Sequence, residues 1–479
     1  MRLHGLSLLA LLLLPTFVWA QGPALSAADS ALVGRILLAE DARDSSAAAL
    51  DEGMRHADPR VRTLAQRALG RIRDPQFAAR DSLPPLTAPV AWPEPGWRLR
   101  YRALAAQRER CDSIRRGLDD FLWHIRLRAA DLVTTACERD TALIATLVRW
   151  VDSLPRDTRQ RRAGGVSWHA AAHAIVALAR IAPAEARRRI PALASHRDWH
   201  VRLYTARAAA VLKDTARLRA LARDADDNVK EAAIDSLSSL TGRAHDVIYL
   251  AALDAPGAPA VRAAARALKG SPRAGVREKA NAVFERWVAR ANASERDVRV
   301  ALLEAAGRPA SDDRPPPPVV ELPPRAVDLA LGADVRVRVT MAEGSGGQSF
   351  VVRLRGDVAP ITAARILALA RSGYYDGGSW HRVEPDFVIQ GAGPGPNEYI
   401  GYHAYFRDEL GTIPHQRGTV GMSTRGHDTG DAQWFINLKD NPRLVRDYTV
   451  FAEVIEGMGV VDGVLEGDVI ATIREVPRR

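Results

Sequence analysis

Cysteine is nearly absent from this chain, with only Cys111 and Cys137 in 479 residues. With no third or fourth soft ligand nearby, a thiolate metal centre has no basis. The two residues lie in neighbouring helical stretches, so one disulfide is feasible in an oxidising compartment, and two buried thiols are the alternative. Aromatic residues make up 6% of the chain, while alanine, arginine and leucine are abundant, a balance suited to helices packed through small side chains. Beyond the first twenty residues no long apolar run occurs, and no stable membrane span is expected. A block of basic residues is also missing. The net charge is +10, yet the arginines are spread among aspartates and glutamates. That pattern argues against a nucleic-acid interface, which would require a continuous basic stripe.

The N-terminus carries a signal of its own. Met1–His4 is short and positively charged, Leu8–Val18 is mostly apolar, and Val18-Trp19-Ala20 offers a small-residue cleavage site before Gln21. This is the layout of a secretory signal peptide over residues 1–20, with an uncleaved anchor as the alternative. An exported protein, periplasmic or otherwise outside the cytoplasm, is expected.

Residues 27–308 share one texture. Asp58-Pro59-Arg60-Val61-Arg62, Asp198-Trp199-His200-Val201-Arg202, Asp227-Asn228-Val229-Lys230, Pro259-Ala260-Val261-Arg262 and Arg296-Asp297-Val298-Arg299 each precede small or apolar residues at helical spacing. Asp, Asn or Pro at such positions caps or pre-sets a first turn. Successive starts at Val201, Val229, Val261 and Val298 are 28, 32 and 37 residues apart. Self-similarity of this period marks an α-solenoid, and the stretches resemble HEAT repeats. Two loops interrupt it: Ser82–Gly96, with five prolines, expected to be extended, and the arginine-rich Asp152–Gly165, expected to be a mobile connection. Residues 309–326, with Pro315–Pro318 and Pro323-Pro324, predict a polyproline spacer. From residue 327 to 479 the texture changes. Asp334–Thr340 alternates, Gly344–Gly347 turns and Ser349–Leu354 forms a second strand, which together read as a β-hairpin.

Within that last region, Trp380-His381-Arg382-Val383-Glu384-Pro385-Asp386-Phe387-Val388-Ile389-Gln390-Gly391 resembles the signature of cyclophilin-type peptidyl-prolyl cis-trans isomerases. Gly418, Met422, Ser423 and Thr424, then Thr429, Gln433, Trp434, Phe435 and Ile436, match the family's second block in order, and Tyr448–Met458 its third. The resemblance implies an antiparallel eight-stranded β-barrel capped by two helices, following the all-α array. It also implies that Arg382, Gln390 and Phe435 carry the reaction, and that Phe387, Val388, Ser423, Thr424, Gln433, Leu444 and Tyr448 bind substrate. Trp380 and Trp434 stand where the family has phenylalanine, Val388 where methionine is common, Ser423 and Thr424 in place of Ala and Asn, and Tyr448 where many members have histidine.

Rotation about an X–Pro bond must cross about 18–20 kcal/mol, because twisting destroys amide resonance. No bond is made or broken, so the reaction requires no nucleophile, metal or cofactor. A donor that engages the prolyl nitrogen only in the twisted state lowers the barrier by differential binding. Arginine, always charged and with fixed donors, suits that task. His381 then needs no acid–base role and is expected to be a buried, hydrogen-bonded residue. His403, His415 and His427 read as loop residues, and Asp408 and Glu409 do not read as a metal pair. Two functions fit these residues. One is an exported isomerase acting on proline-containing polypeptides, its helical array holding clients or a protein partner. The other is a scaffold whose barrel binds proline-containing peptides with little turnover.

Overall fold

The computed structural model describes residues 24–74, 87–154, 168–411 and 413–477. The expected signal peptide, most of the Asp152–Gly165 connection and the start of the Ser82–Gly96 loop lie outside the described residues.

From Ala27 to Ala306 the described chain is helical. Helix starts follow local chemistry. The Asp58 carboxylate accepts from the Arg60 amide at the head of helix Pro59–Arg73, and Asp198 does the same for His200 in helix Trp199–Val211. Helix Asp227–Thr241 is capped one residue earlier than its motif begins, by Asp226. Helices His169–Ile181, Trp199–Val211, Asp227–Thr241, Ala258–Leu268 and Arg296–Ala306 form one row, each packed on the next. The motif valines Val201, Val229, Val261 and Val298 are buried between them. Earlier in the array, Cys111 and Cys137 are joined by a disulfide, with 5.4 Å between their Cα atoms.

The remaining chain forms an antiparallel sheet of eight strands: β1 (Arg336–Met341), β2 (Ser349–Leu354), β3 (Arg382–Val383), β4 (Val388–Gly391), β5 (Thr419–Met422), β6 (Trp434–Asn437), β7 (Val450–Glu456) and β8 (Ile470–Glu475). Their order is β3-β4-β6-β5-β7-β2-β1-β8. The two ends meet where the Trp380 amide donates to the Asp468 carbonyl at 2.9 Å and the Ile470 amide to the Gly378 carbonyl at 2.7 Å. Those bonds close the sheet on itself, which removes its edges. Helices Pro360–Arg371 and Met458–Asp462 pack on the barrel. The first amides of Pro360–Arg371 are satisfied by buried Glu409, which accepts from Ile361 and Thr362 at 3.2 and 2.6 Å.

The array and the barrel are not separate bodies on a tether. Leu32, Val33, Ile36, Leu64 and Ala65 of the first helices belong to the same apolar core as Val337, Phe350, Leu354 and Ile361. The proline-rich stretch expected as a spacer instead runs along the barrel. The Val319 amide donates to the Tyr405 carbonyl at 2.8 Å, Arg365 donates to the Val319 carbonyl at 2.8 Å, and Asp313 is buried against Arg299 at 2.7 Å. Proline lacks the N–H donor but keeps its carbonyl and an apolar ring, so a polyproline segment can dock as readily as it can span.

Candidate active site

The site follows from strand register. Arg382 on β3 lies opposite Gln390 on β4, Gln390 opposite Phe435 on β6, and Phe435 opposite Gly421 on β5. Directly opposed residues share a face of a sheet. A guanidinium, an amide and a phenyl ring therefore stand in one row across four strands. The adjoining row, Val383, Ile389, Ile436 and Val420, points the other way and joins the core. Gly421 leaves room for the ring, since a Cβ there would fall 2.9 Å from the Phe435 Cε1.

Arg382 is held from two sides. Its Nη1 donates to the Gln390 Oε1 at 3.2 Å, and its Nε donates to the Glu384 Oε1 at 2.9 Å. Gln390 passes the alignment on, donating from Nε2 to the Ser423 hydroxyl at 2.9 Å. The Arg382 side chain remains 40% exposed at the mouth of a pocket of about 210 Å3. Val388, Phe435 and Leu444 form its apolar wall, with Phe387 and Tyr448 packed against them. Ser423 and Thr424 also line it. The pocket can thus seat a small apolar ring beneath a fixed cationic donor, which is the arrangement a twisting prolyl amide requires.

Of the residues expected at the site, Arg382, Gln390, Phe435, Phe387, Val388, Ser423, Thr424, Leu444 and Tyr448 converge on this pocket. Gln433 does not. It is buried and donates to the Ile400 carbonyl at 2.6 Å, so it fastens the loop before Tyr402 rather than facing substrate. Alternation would place Gln433 on the face of Phe435, but Gln433 precedes β6, and its side chain is turned to the Ile400 carbonyl instead.

Several residues that shape the pocket carried no obvious signal. His415, read as a loop residue, is buried, stacks on Phe435 with ring centroids 5.7 Å apart, and reaches the Tyr448 carbonyl at 3.0 Å. Burial pushes its pKa down to about 4. Asn441 fixes the loop that brings in Leu444. Its amide nitrogen donates to the His415 carbonyl at 2.7 Å and its side chain to the Asn437 Oδ1 at 2.7 Å. Glu384, the variable position of the signature, orients Arg382; residues two apart on a strand share a face, which is the signal that could have found it. His381 departs from expectation differently. Burial lowers its pKa to about 4, but neither ring nitrogen has a hydrogen-bond partner. Two departures from the family's phenylalanines meet inside the barrel, where Trp380 and Trp434 pack edge to face at 5.2 Å.

Comparison with known proteins gives a consistent result. The family profile described as "Cyclophilin type peptidyl-prolyl cis-trans isomerase/CLD" matches residues 337–477. A peptidyl-prolyl cis-trans isomerase of Helicobacter pylori is 34% identical over 119 residues, which is 24% of this chain and 74% of that protein. Peptidyl-prolyl cis-trans isomerase B of Bacillus subtilis is 35% identical over 134 residues, 27% of this chain and 91% of that protein. A crystal structure of a Cryptosporidium parvum cyclophilin type peptidyl-prolyl cis-trans isomerase aligns with 31% of this chain and 100% of that one, at 23% identity and a TM-score of 0.29.

Proposed function

Since the chain belongs to the cyclophilin-type peptidyl-prolyl cis-trans isomerase family, we propose that it accelerates X–Pro rotation in exported polypeptides during their folding, with Arg382, Gln390 and Phe435 carrying the reaction. The observation that carries this reading is the single row Arg382–Gln390–Phe435 across β3, β4 and β6. The prolyl ring sits against Phe435, Val388 and Leu444. Gln390 takes a substrate amide group and steadies Arg382. As the amide twists, the prolyl nitrogen regains its lone pair and accepts from the guanidinium. Arg382 is always protonated, so no proton moves.

Export is supported by the charged start, apolar run and small-residue site of residues 1–20, and by the Cys111–Cys137 disulfide, a bond favoured outside the cytoplasm. The helical array, beside the groove, offers a HEAT-like surface for clients or a protein partner. The deciding experiment is a protease-coupled isomerisation assay on short X–Pro peptides with the whole mature chain. Arg382→Ala should lower kcat/KM by roughly a hundredfold, the typical loss of one preorganised donor. Turnover that is undetectable in the wild type, or unaltered by the substitution, would leave the scaffold reading in its place.

A further inference from the structure

Arg382 borders a second, larger space. A cleft of about 530 Å3 lies on its other side, within the size range of ligand sites. Its walls come from both parts of the chain: Trp199, Asp235 and Arg262 from three helices of the array, His381 and Glu398 from the barrel. Glu398 lines both this cleft and the proline pocket, so the two spaces are contiguous at Arg382 and Glu398.

The array also sets the shape of the shared border. Asn397 donates to Glu231 and Asn228 at 3.1 Å each, and the Arg262 guanidinium lies 3.7 Å from the centre of the Tyr399 ring. The loop carrying Glu398 is therefore clamped by helices Asp227–Thr241 and Ala258–Leu268. Arg262 is itself engaged by Glu231 at 2.6 Å. Asp235 and Glu398, by contrast, make no ion pair within 4 Å among the described residues, and both keep exposed surface; Arg262 and Arg266 act on Asp235 only from farther away. His381 adds a neutral imidazole with neither nitrogen partnered.

We infer that this cleft is a specificity subsite built jointly by the array and the barrel, which takes the polypeptide flanking the X–Pro bond and prefers a lysine or arginine there. The cation pairs with Asp235 and Glu398, its stem lies along Trp199, and a peptide group of the same segment can use His381. The inference rests on the isomerase reading for its substrate but not for its test. Arg207, Arg262 and Arg382 also line the cleft but are offset by Glu466, Glu231 and Glu384, so Asp235 and Glu398 tip the balance towards a cation, and the aromatic face adds cation–π attraction.

The test uses the whole mature chain and three peptides sharing one X–Pro core, extended on both sides by lysines, alanines or glutamates. Binding is measured by calorimetry and turnover as kcat/KM, both on the wild type, since isomerisation does not consume the peptide and Arg382 itself lines the cleft. The lysine peptide should bind about fivefold more tightly than the alanine peptide, the glutamate peptide should be weakest, and raising the salt should shrink the difference, as for part-exposed ion pairs. Asp235→Asn combined with Glu398→Gln should abolish the preference, and Trp199→Ala should weaken all extended peptides. Equal binding of the three peptides overturns the inference even if Arg382→Ala removes turnover. A lysine preference that persists in the double variant overturns it too. Preferential binding with no turnover in the wild type would uphold the cleft and defeat the isomerase reading instead.

Discussion

His415 shows how one side chain couples the pocket to pH. Its Nε2 faces the Tyr448 carbonyl at 3.0 Å and so must donate; its Nδ1 accepts from the Asn437 amide at 3.2 Å. Both bonds are made by the neutral ring. Burial holds the folded pKa at about 4, against about 6.5 in an unfolded chain. The unfolded state therefore binds a proton that the folded state refuses between those values. The contribution is fully present above about pH 6.5 and is lost as pH falls toward 4, reaching about 2 kcal/mol by pH 5. His381 acts in the same direction. Asp408 and Asp431, pushed up to about 6 chiefly by burial, act in the opposite one, so the whole protein's pH profile mixes the two. The difference between wild type and His415→Gln isolates the histidine. Denaturant unfolding should show the wild type's advantage shrinking by about 2 kcal/mol from pH 7.5 to pH 5. An advantage equal at both values would mean that His415 takes up protons in the fold as it does in the unfolded chain.

At the scale of elements, the pocket depends on β5 having no side chain where β6 carries Phe435. Gly421→Ala would drive a methyl into the ring. The ring is packed by Val388, Leu444 and Tyr448 and has little freedom to retreat. The expected result is a roughly tenfold fall in kcat/KM together with the overpacking cost of about 1–3 kcal/mol. Near-ultraviolet dichroism should show an altered aromatic environment and far-ultraviolet dichroism a retained fold. Turnover within twofold of wild type would show that the ring has another place to go. This dependence also marks how far the elements were legible. The Arg382–Gln390 pairing lies within a twelve-residue motif, where alternation along the strand and a turn at Pro385 bring the side chains to one face. The far wall, Leu444 and Tyr448, came from the family's block order, not from periodicity. The direction of Gln433, the docking of the proline-rich stretch and the burial of His415, which lies in a loop as expected, are not legible locally because what fixes them lies elsewhere in the chain. Gln433 is held by a carbonyl 33 residues away and His415 by one 33 residues on. The repeats were read by their caps, which are local. The row the helices form, and the face it turns to the barrel, are set by contacts that no window of sequence contains.

For the whole molecule, the arginine-rich composition has a physical use other than contact with an anionic partner. Guanidinium groups have five donors in a fixed fork and can satisfy several acceptors at once. Arg71, from helix Pro59–Arg73, donates to the Leu410 and Val358 carbonyls of the barrel at 2.8 and 2.6 Å. Arg98 reaches the Leu438 carbonyl and Asp462, and Arg417 of the barrel reaches back to the Pro93 carbonyl at 2.9 Å. These bonds stitch array to barrel beside the core they share. Glu40 is the counter-charge at the centre of the first group, bound by Arg67 at 3.2 Å and Arg71 at 2.6 Å in full burial. Burial alone would raise its pKa, but the two guanidiniums outweigh burial and hold it at about 2. Glu40→Ala would leave two buried cations without their nearest partner, a change that costs about 3–5 kcal/mol. Because Arg71 also grips the barrel, the loss cannot be confined to the helices. In infrared spectra the helical amide band and the β-sheet band, which the barrel alone supplies among the described residues, should melt together in the wild type, and both should shift downward together in Glu40→Ala. Two separate transitions, with only the helical one displaced, would show that the array and the barrel fold independently despite their common core.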